Sequence, residues 1–170
     1  MLQALEAAAC TLGVALRPMT DDDLPFSADL YASIRADELA QTGWPIAAQR
    51  AFLDSQHAAQ HAHYRQHYAA AARLIIERNG VPVGRLYLFE GASDVRIVDI
   101  ALLPAARGGG VGGALLDTIR ASAAAAGKTV SIHVERANPA RRLYERQGFR
   151  VVDAERGPYD LMEWRADGAS

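Results

Sequence analysis

The stretch that decides the fold runs from residue 95 to residue 113 and reads VRIVDIALLPAARGGGVGG. Its first part is an apolar run typical of a β-strand, and this run ends at Pro104. Arg107 follows, and then five glycines occupy six positions, interrupted only by Val111, before a helix-forming sequence begins. Backbone N–H groups at a helix N-terminus attract anions, and glycine lets a ligand approach the backbone closely. The stretch therefore predicts a strand, a loop and a helix that together bind a phosphate-bearing ligand.

The composition is that of one ordinary globular domain. The chain has 170 residues, of which 50% are hydrophobic and 22% are charged, and its formal net charge is −2. This charge gives no reason to expect nucleic acid or an anionic membrane as a partner. The one cysteine, Cys10, excludes an intrachain disulfide, no apolar run approaches the ~18 residues of a membrane span, and the N-terminus lacks the basic region of a signal peptide. We therefore expect a cytoplasmic protein.

Hydrophobic periodicity and turn signals predict the element order β-α-α-β-β-β-α-β-α-β-β. The predicted strands cover residues 14–19, 73–78, 81–90, 95–103, 129–135, 149–153 and 159–164. The predicted helices cover residues 22–40, 46–68 and 110–126, and a short fourth helix starts at Asn138-Pro139 and stops before Gly148. Asparagine as the N-cap, proline at the first helical position and glycine past the end support this last helix.

This order predicts an α/β fold with a mixed sheet and helices on both faces. Asn79-Gly80 is a strong two-residue hairpin signal, and residues 73–103 form a predicted antiparallel meander. The strand–helix–strand unit 95–135 should be a parallel crossover within a mostly antiparallel sheet. We expect one domain over residues 14–165, preceded by an Ala-rich extension at 1–13 and followed by a polar tail at 166–170.

Four of the five histidines lie in the predicted helix 46–68, in two pairs at i, i+4 spacing: His57 with His61, and His63 with His67. Each pair shares a helix face, but the pairs point about 240° apart, and Asp54 is the only carboxylate near them. We therefore expect no metal site here, and we interpret the histidines as a polar helix face that lines a substrate opening.

Two nucleotide-binding motifs are alternative interpretations of the glycine loop. Gly108, Gly110 and Gly113 satisfy G-x-G-x-x-G, and Glu135 follows where a dinucleotide-binding fold places its ribose-binding acid. In that fold, however, the loop follows the first strand, whereas about a hundred residues precede it here and too few follow for a doubly wound sheet. A P-loop is excluded because no Gly-Lys-Ser/Thr closes the loop.

The loop and a second motif together resemble those of a known family. Arg107-x-x-Gly110-x-Gly112 is similar to the coenzyme A pyrophosphate loop of the GCN5-related N-acetyltransferase (GNAT) family, and Asn138, Leu143-Tyr144-Glu145 and Gly148-Phe149 resemble its N…LYE..GF signature. The resemblance is strong over residues 73–164 and weak over 14–70. It implies a GNAT-like fold, acetyl-CoA as co-substrate, no metal, and an amine acceptor.

The resemblance also implies how acetyl-CoA is held. The pyrophosphate binds the loop formed by Gly108, Gly109, Gly110, Val111, Gly112 and Gly113, and Arg107 positions this loop or contacts phosphate. The strands 95–103 and 129–135 splay apart, so that the pantetheine arm pairs with backbone near Ala101 and Leu102. The Leu102 N–H polarises the thioester carbonyl, and Asn138 caps its helix and touches the cofactor.

Tyr144 matches the family tyrosine that protonates the departing thiolate. No fixed base is implied, and two candidates stand out. His133 alternates with Ile132 and Val134 and so faces the other side of the sheet, and Asp99 lies in the strand before the loop. A water chain to bulk solvent is an alternative, and Glu135 and Glu90 are weaker candidates.

Three functions remain as hypotheses at this point. The first is an N-acetyltransferase in which a small amine, an amino acid or a peptide N-terminus attacks acetyl-CoA directly. The second is a noncatalytic acyl-CoA-binding sensor on the same fold, which the intact Tyr144 disfavours. The third is the dinucleotide-binding protein. Homodimers are common in the resembled family, and a dimer is therefore a further expectation.

Overall fold

Seven strands form one mixed sheet in a computed structural model that describes residues 1–153 and 157–166. The strands are β1 Ala15–Pro18, β2 Ala72–Arg78, β3 Val81–Glu90, β4 Asp94–Leu102, β5 Thr129–Glu135, β6 Arg150–Asp153 and β7 Tyr159–Trp164. The helices are α1 Leu2–Thr11, α2 Leu24–Ala40, α3 Ile46–His67, α4 Val111–Ala125 and α5 Arg141–Arg146, with short 3₁₀ turns at Asp21–Asp23 and Pro104–Ala106. In the part of the chain that is described, no helix is long and apolar enough to cross a bilayer.

The strand order is β1-β2-β3-β4-β5-β7-β6, and every neighbouring pair is antiparallel except β4 with β5. Helix α4 returns the chain across the sheet between these two strands, which is why they run parallel. The predicted fold class, a mixed and mostly antiparallel sheet with one parallel crossover, is confirmed. Asn79 and Gly80 have φ values of 53° and 75°, as a two-residue hairpin turn between β2 and β3 requires.

One face of the sheet packs against α4 and α1. Alternate residues of β2, β3, β4 and β5 share a core cluster with Leu115 and Ile119 of α4. Leu5 and Ala9 of α1 are completely buried in this cluster. Residues 1–13, expected as an extension, thus contain a helix that contributes to the main core.

A β-bulge interrupts β4. Tyr87 pairs with Asp99 while the next residue, Leu88, pairs with Ile97, so Val98 is the extra residue. The parallel pairing of β4 with β5 ends at the same place, with Ile97 opposite Ile132 as its last pair. Because a bulge bends and twists its strand, the end of β4 separates from β5, and the splay implied by the family resemblance is present.

The last helix begins later than predicted. Helix α5 starts at Arg141, and its N-cap is Ala140 rather than Asn138. The Asn138 Oδ1 accepts a hydrogen bond from the Ala140 N–H at 2.9 Å. This is the local turn that asparagine side chains favour, so Asn138 and Pro139 form a turn before the helix. Of the expected tail, residues 167–170 lie outside the described residues.

An ion pair anchors β1 at the sheet edge. Arg17 of β1 binds both oxygens of Asp23, at 2.7 Å from Nη1 and 2.6 Å from Nη2, and its Nε donates to Glu77 of β2 at 2.7 Å. The Asp23 Oδ2 also accepts the Thr20 N–H at 2.8 Å. The Arg17 hydrogen bonds are the main cause that lowers the pKa of the Asp23 carboxyl to about 2.

Replacing Asp23 by Asn should lower the free energy of unfolding by about 1–3 kcal/mol at neutral pH, because the charged partner of Arg17 is lost. The folded-state pKa of Asp23 lies below the unfolded value of about 3.9, so its stabilisation is present above that value and disappears as the pH falls toward about 2. Urea unfolding at pH 6 and at pH 2 measures the difference. The neighbouring, exposed Asp22→Asn is the control, and a difference between Asp23→Asn and the unsubstituted protein that does not shrink at pH 2 contradicts the assignment.

Candidate active site

A cleft of about 600 Å³ opens where β4 separates from β5. Its floor is formed by residues 96–101 of β4 and 132–135 of β5, and α2 and α3 form the opposite wall. Five tyrosines line it: Tyr31, Tyr64, Tyr68, Tyr144 and Tyr159. The candidate residues Asp99, Ala101, His133 and Asn138 line the same cleft, so residues far apart in the chain share one cavity.

The glycine loop connects the end of β4 to the N-terminus of α4. Gly108 and Gly110 have φ values of 79° and 80°, a left-handed conformation that favours glycine, and a Cβ at either position would meet no atom within 4 Å. The first intrahelical bond runs from the Ala114 N–H to the Gly110 carbonyl at 2.9 Å. The N–H groups of residues 111–113 therefore precede the helical ladder and can meet an anion.

Two arginines lie beside this loop. Arg107 Nε donates to the Leu102 carbonyl at 2.9 Å, which fixes the loop to the end of β4. Of the two roles considered for Arg107, this contact supports the positioning of the loop. Arg78, at the end of β2, was missed in the sequence, and its Nη2 lies 3.9 Å from a Cβ built on Gly109. Arg78 lies next to the β2–β3 hairpin turn, far from the glycine loop in sequence. Its position beside the loop therefore follows only from the sheet topology.

The end of β4 presents backbone polar groups to the gap left by β5. The Leu103 N–H donates to the Val83 carbonyl at 2.9 Å. In an antiparallel ladder the residues alternate in direction, so Ala101, opposite Arg85, directs its N–H and carbonyl toward β3. Leu102 then directs its N–H away from β3. Of the two predicted backbone contacts, Leu102 faces the gap, whereas Ala101 lines the cleft with its side chain.

Tyr144 on α5 is 5% exposed, and its ring packs edge-on against Phe149 at a centroid distance of 5.8 Å. Burial, and secondarily the Asp99 carboxylate, raise the pKa of the Tyr144 phenol above its ordinary value. The phenol therefore keeps its proton at neutral pH. A buried, protonated hydroxyl at the edge of the cleft can donate a proton to a strong base that forms there.

Asp99 is held by a buried cation that the sequence analysis missed. Arg85 of β3 is 2% exposed, and its Nε donates to Asp99 Oδ2. Its Nη1 donates to Ser27 Oγ of α2 at 2.6 Å, and its Nη2 donates to Gln60 Oε1 of α3 at 2.9 Å. The available signal was one charged residue inside an apolar strand, which indicates a paired side chain.

The histidines of α3 divide between two places. His57 is buried, and its Nε2 lies 2.9 Å from Ser27 Oγ, while burial and then Arg85 and His61 lower the pKa of its imidazole. His57 and His61 line a second pocket beside α2, whereas His63 lines the cleft. Among residues 1–153 and 157–166, no group of three histidine, cysteine or acidic side chains could hold a metal ion.

His133 is exposed between the buried residues Ile132 and Val134, so the predicted alternation is confirmed. Its Nδ1 lies 2.8 Å from Nη1 of Arg96. A guanidinium can only donate, so Nδ1 is the acceptor and a neutral His133 carries its proton on Nε2. In this arrangement His133 must release Arg96 before Nδ1 can take a proton from a substrate.

The fold and the site together define a class of protein: a mixed-sheet domain whose splayed parallel strands adjoin a glycine loop and a helix N-terminus. Residues 69–151 match the family described as acetyltransferase (GNAT) domain. No curated protein matches this chain. The resemblance to the GNAT acetyltransferase family that the two motifs indicate is therefore confirmed over residues 69–151.

Solved structures extend the similarity over nearly the whole chain. The PaiA N-acetyltransferase of Thermoplasma acidophilum, in complex with coenzyme A, is 16% identical with a TM-score of 0.67, over 90% of this chain and 99% of that one. An acetyltransferase of Thermus thermophilus is 19% identical with a TM-score of 0.62, over 90% and 97%. A GNAT family acetyltransferase of Elizabethkingia anophelis with acetyl-CoA bound is 17% identical with a TM-score of 0.57, over 91% and 99%. At these identities the likeness shows the fold.

Replacing Arg85 by Met should lower the free energy of unfolding by about 3–5 kcal/mol, because Asp99 then keeps its charge without its buried partner. The double variant Arg85→Met/Asp99→Asn removes that charge and should recover part of the loss. Urea unfolding of the three proteins measures both effects. A double variant that is less stable than Arg85→Met would show that Asp99 is not held by this pair.

Proposed function

We propose that this chain is an N-acetyltransferase that transfers the acetyl group of acetyl-CoA directly to an amine. The observation that carries the proposal is the separation of β4 from β5 beside the glycine loop. This gap is open to an extended ligand whose anionic end meets the loop. The GNAT domain match over residues 69–151 supports the same assignment, as do the coenzyme A and acetyl-CoA complexes among proteins of this fold.

The residues at the loop fit the pyrophosphate of acetyl-CoA. Gly108 and Gly110 leave open space where side chains would stand, and the N–H groups at the start of α4 lie at the positive end of the helix dipole. Arg78 and Arg107 add positive charge beside the loop. The N–H of Leu102, directed away from β3, is placed to pair with the pantetheine arm or to polarise the thioester carbonyl.

In the proposed reaction a neutral amine nitrogen attacks the carbonyl carbon of the thioester. The new C–N bond forms and the C–S bond breaks, and the amine loses one proton while the departing thiolate gains one. Tyr144, protonated and buried at the cleft, donates the proton to the thiolate. The products are an N-acetylated amine and free coenzyme A, and no covalent bond to the enzyme forms.

We assign the acceptance of the amine proton to Asp99, directly or through water. Its side chain is 18% exposed to the cleft, and Arg85 binds its Oδ2, so Oδ1 can meet the amine. His133 is the alternative, but its Nδ1 is held by Arg96. Asp99→Asn and His133→Gln, assayed with the same amine substrate, separate the two residues. Only loss of the residue that accepts the amine proton should lower kcat strongly.

Gly110→Ala should weaken the binding of acetyl-CoA by about tenfold or more, because an L residue at φ 80° strains the loop by about 1–2 kcal/mol or shifts its N–H groups. Isothermal titration calorimetry measures the dissociation constant. Gly43→Ala is the matched control, since Gly43 has φ 70° and open space at its Cβ but lies in the α2–α3 connection. Equal dissociation constants for the two variants would contradict the proposed binding of pyrophosphate at the loop.

Tyr144→Phe should lower kcat by about 10²–10⁴-fold through loss of the general acid, and it should leave the dissociation constant of acetyl-CoA unchanged. Release of free thiol measures turnover. Tyr68→Phe removes a hydroxyl from another cleft tyrosine and should leave kcat close to that of the unsubstituted enzyme. Unchanged turnover in Tyr144→Phe removes this residue from the acid role, and acetyl-CoA binding without turnover of any amine favours a noncatalytic sensor.

A further inference from the structure

Resting on the proposed function, we propose that the amine acceptor also carries a carboxylate group and that Arg96 binds this carboxylate. The acceptor class is then a small amino carboxylic acid, as in a free amino acid. The amine lies at Asp99 and the carboxylate lies at Arg96, on the same strand. Three observations support this: Arg96 has no carboxylate partner among the described residues, it lies close to Asp99 on β4, and the rings of Tyr64 and Tyr68 cover both residues.

Among residues 1–153 and 157–166, three arginines and three acidic residues line the cleft, and most of these charges are paired. Arg85 pairs with Asp99. Arg35 of α2 lies 3.6 Å from Glu135 of β5 and 3.5 Å from Glu38. All three acidic residues of the cleft therefore have an arginine partner.

Of the described arginines that line the cleft, Arg96 is the one without a carboxylate partner. Its Nη1 bonds to His133 Nδ1 at 2.8 Å, an acceptor that carries no charge in the neutral ring. The nearby Asp94 carboxylate accepts a hydrogen bond from Ser131 Oγ at 2.9 Å. Over the described ranges 1–153 and 157–166, no acidic side chain pairs with Arg96. With Nη1 engaged, the edge formed by Nε and Nη2 keeps the fork geometry that binds a carboxylate through two hydrogen bonds.

The bulge places Arg96 and Asp99 on the same side of β4. Their cross-strand partners on β3 are Phe89 and Tyr87, two residues apart and hence on one face. Because Val98 is the extra residue of the bulge, Arg96 and Asp99 are separated by only two ladder positions, about 7 Å along the strand. Because the Arg96 side chain is long, it and the shorter Asp99 side chain can reach a carboxylate and an amine of one small molecule.

Aromatic rings from α3 and from the residue that follows it cover the same two ladder positions. The Tyr64 ring lies 6.0 Å from the Tyr87 ring, and the Tyr68 ring lies 5.9 Å from the Phe89 ring. Both Tyr64 and Tyr68 line the cleft. A ligand that spans Asp99 and Arg96 therefore lies under an aromatic wall, which suits a compact acceptor. The acidic residues of the cleft disfavour a second negative charge, so a carboxylate fits better than a dianionic phosphate.

The test compares matched acceptors in the free-thiol assay. Each amino acid of a panel is assayed beside its carboxamide, and one pair includes the corresponding aminoalkyl phosphate. The unsubstituted enzyme should prefer the carboxylate over the carboxamide in kcat/KM by about tenfold or more. Arg96→Gln should abolish most of this preference, a loss of about 10–100-fold, through a higher KM for the carboxylate. Arg96→Lys keeps the positive charge but lacks the two-donor edge of the guanidinium, so it should retain part of the preference that Arg96→Gln loses.

Arg65→Gln is the control for a change in net charge, because Arg65 lines the separate pocket beside α2. A thermal melt of each variant verifies folding. The inference is wrong if the preference survives in Arg96→Gln, or if the unsubstituted enzyme prefers the carboxamide or the phosphate. It is also wrong if acetyl-CoA binds and other amines are acetylated, but no amino acid turns over or binds to the enzyme in calorimetry. Absence of acetyl-CoA binding, by contrast, contradicts the proposed function itself.

Discussion

The contact between the buried guanidinium of Arg85 and the Asp99 carboxylate constrains most of the cleft. An arginine inside a protein must satisfy its donors with protein acceptors, since water does not reach it. Here the acceptors come from β4, from Ser27 on α2 and from Gln60 on α3. One side chain thus joins helices α2 and α3 to the strand that leads into the glycine loop. Movement of either helix would break a charged hydrogen bond, so the width of the cleft and the direction of Asp99 depend on each other.

Strand β4 borders both the cleft and the glycine loop because its pairing with β5 ends at the bulge residue Val98. Before the bulge it pairs with β3 and β5, and after it only with β3. This change turns Asp99 into the cleft and leaves the Leu102 N–H directed away from β3, at the gap beside β5. Gly84 on β3 makes the geometry possible, since a Cβ there would lie 2.4 Å from the Ala101 carbonyl oxygen. The end of β4 is therefore held closely on one side and open on the other, as an added extended ligand requires.

Features that depend on local sequence could be predicted, and features that depend on distant elements could not. The hairpin at Asn79-Gly80 and the start of α4 follow from short-range backbone preferences, so their positions agree with the structure. The Arg85 contacts join residues separated by 14, 25 and 58 positions. The periodicity of hydrophobic residues gives no information about contacts between such distant positions. The burial of α1 likewise depends on α4, more than a hundred residues away. For Asn138 the residue type was informative but ambiguous, because an asparagine that caps a helix and one that forms a local turn have the same sequence signal.

The position of Asp99 also links the two proton transfers of the proposed reaction. Its negative charge is the second cause, after burial, of the raised pKa of Tyr144. While Asp99 is ionised, the phenol is therefore a weaker acid than burial alone would make it. In the proposed reaction Asp99 takes the amine proton and loses its charge, which removes this contribution to the pKa of Tyr144. The phenol becomes a better donor after the nitrogen has lost its proton, at the stage when the thiolate leaves. A carboxylate in this position, neutralised by the first transfer, thus favours the second without any movement of the backbone.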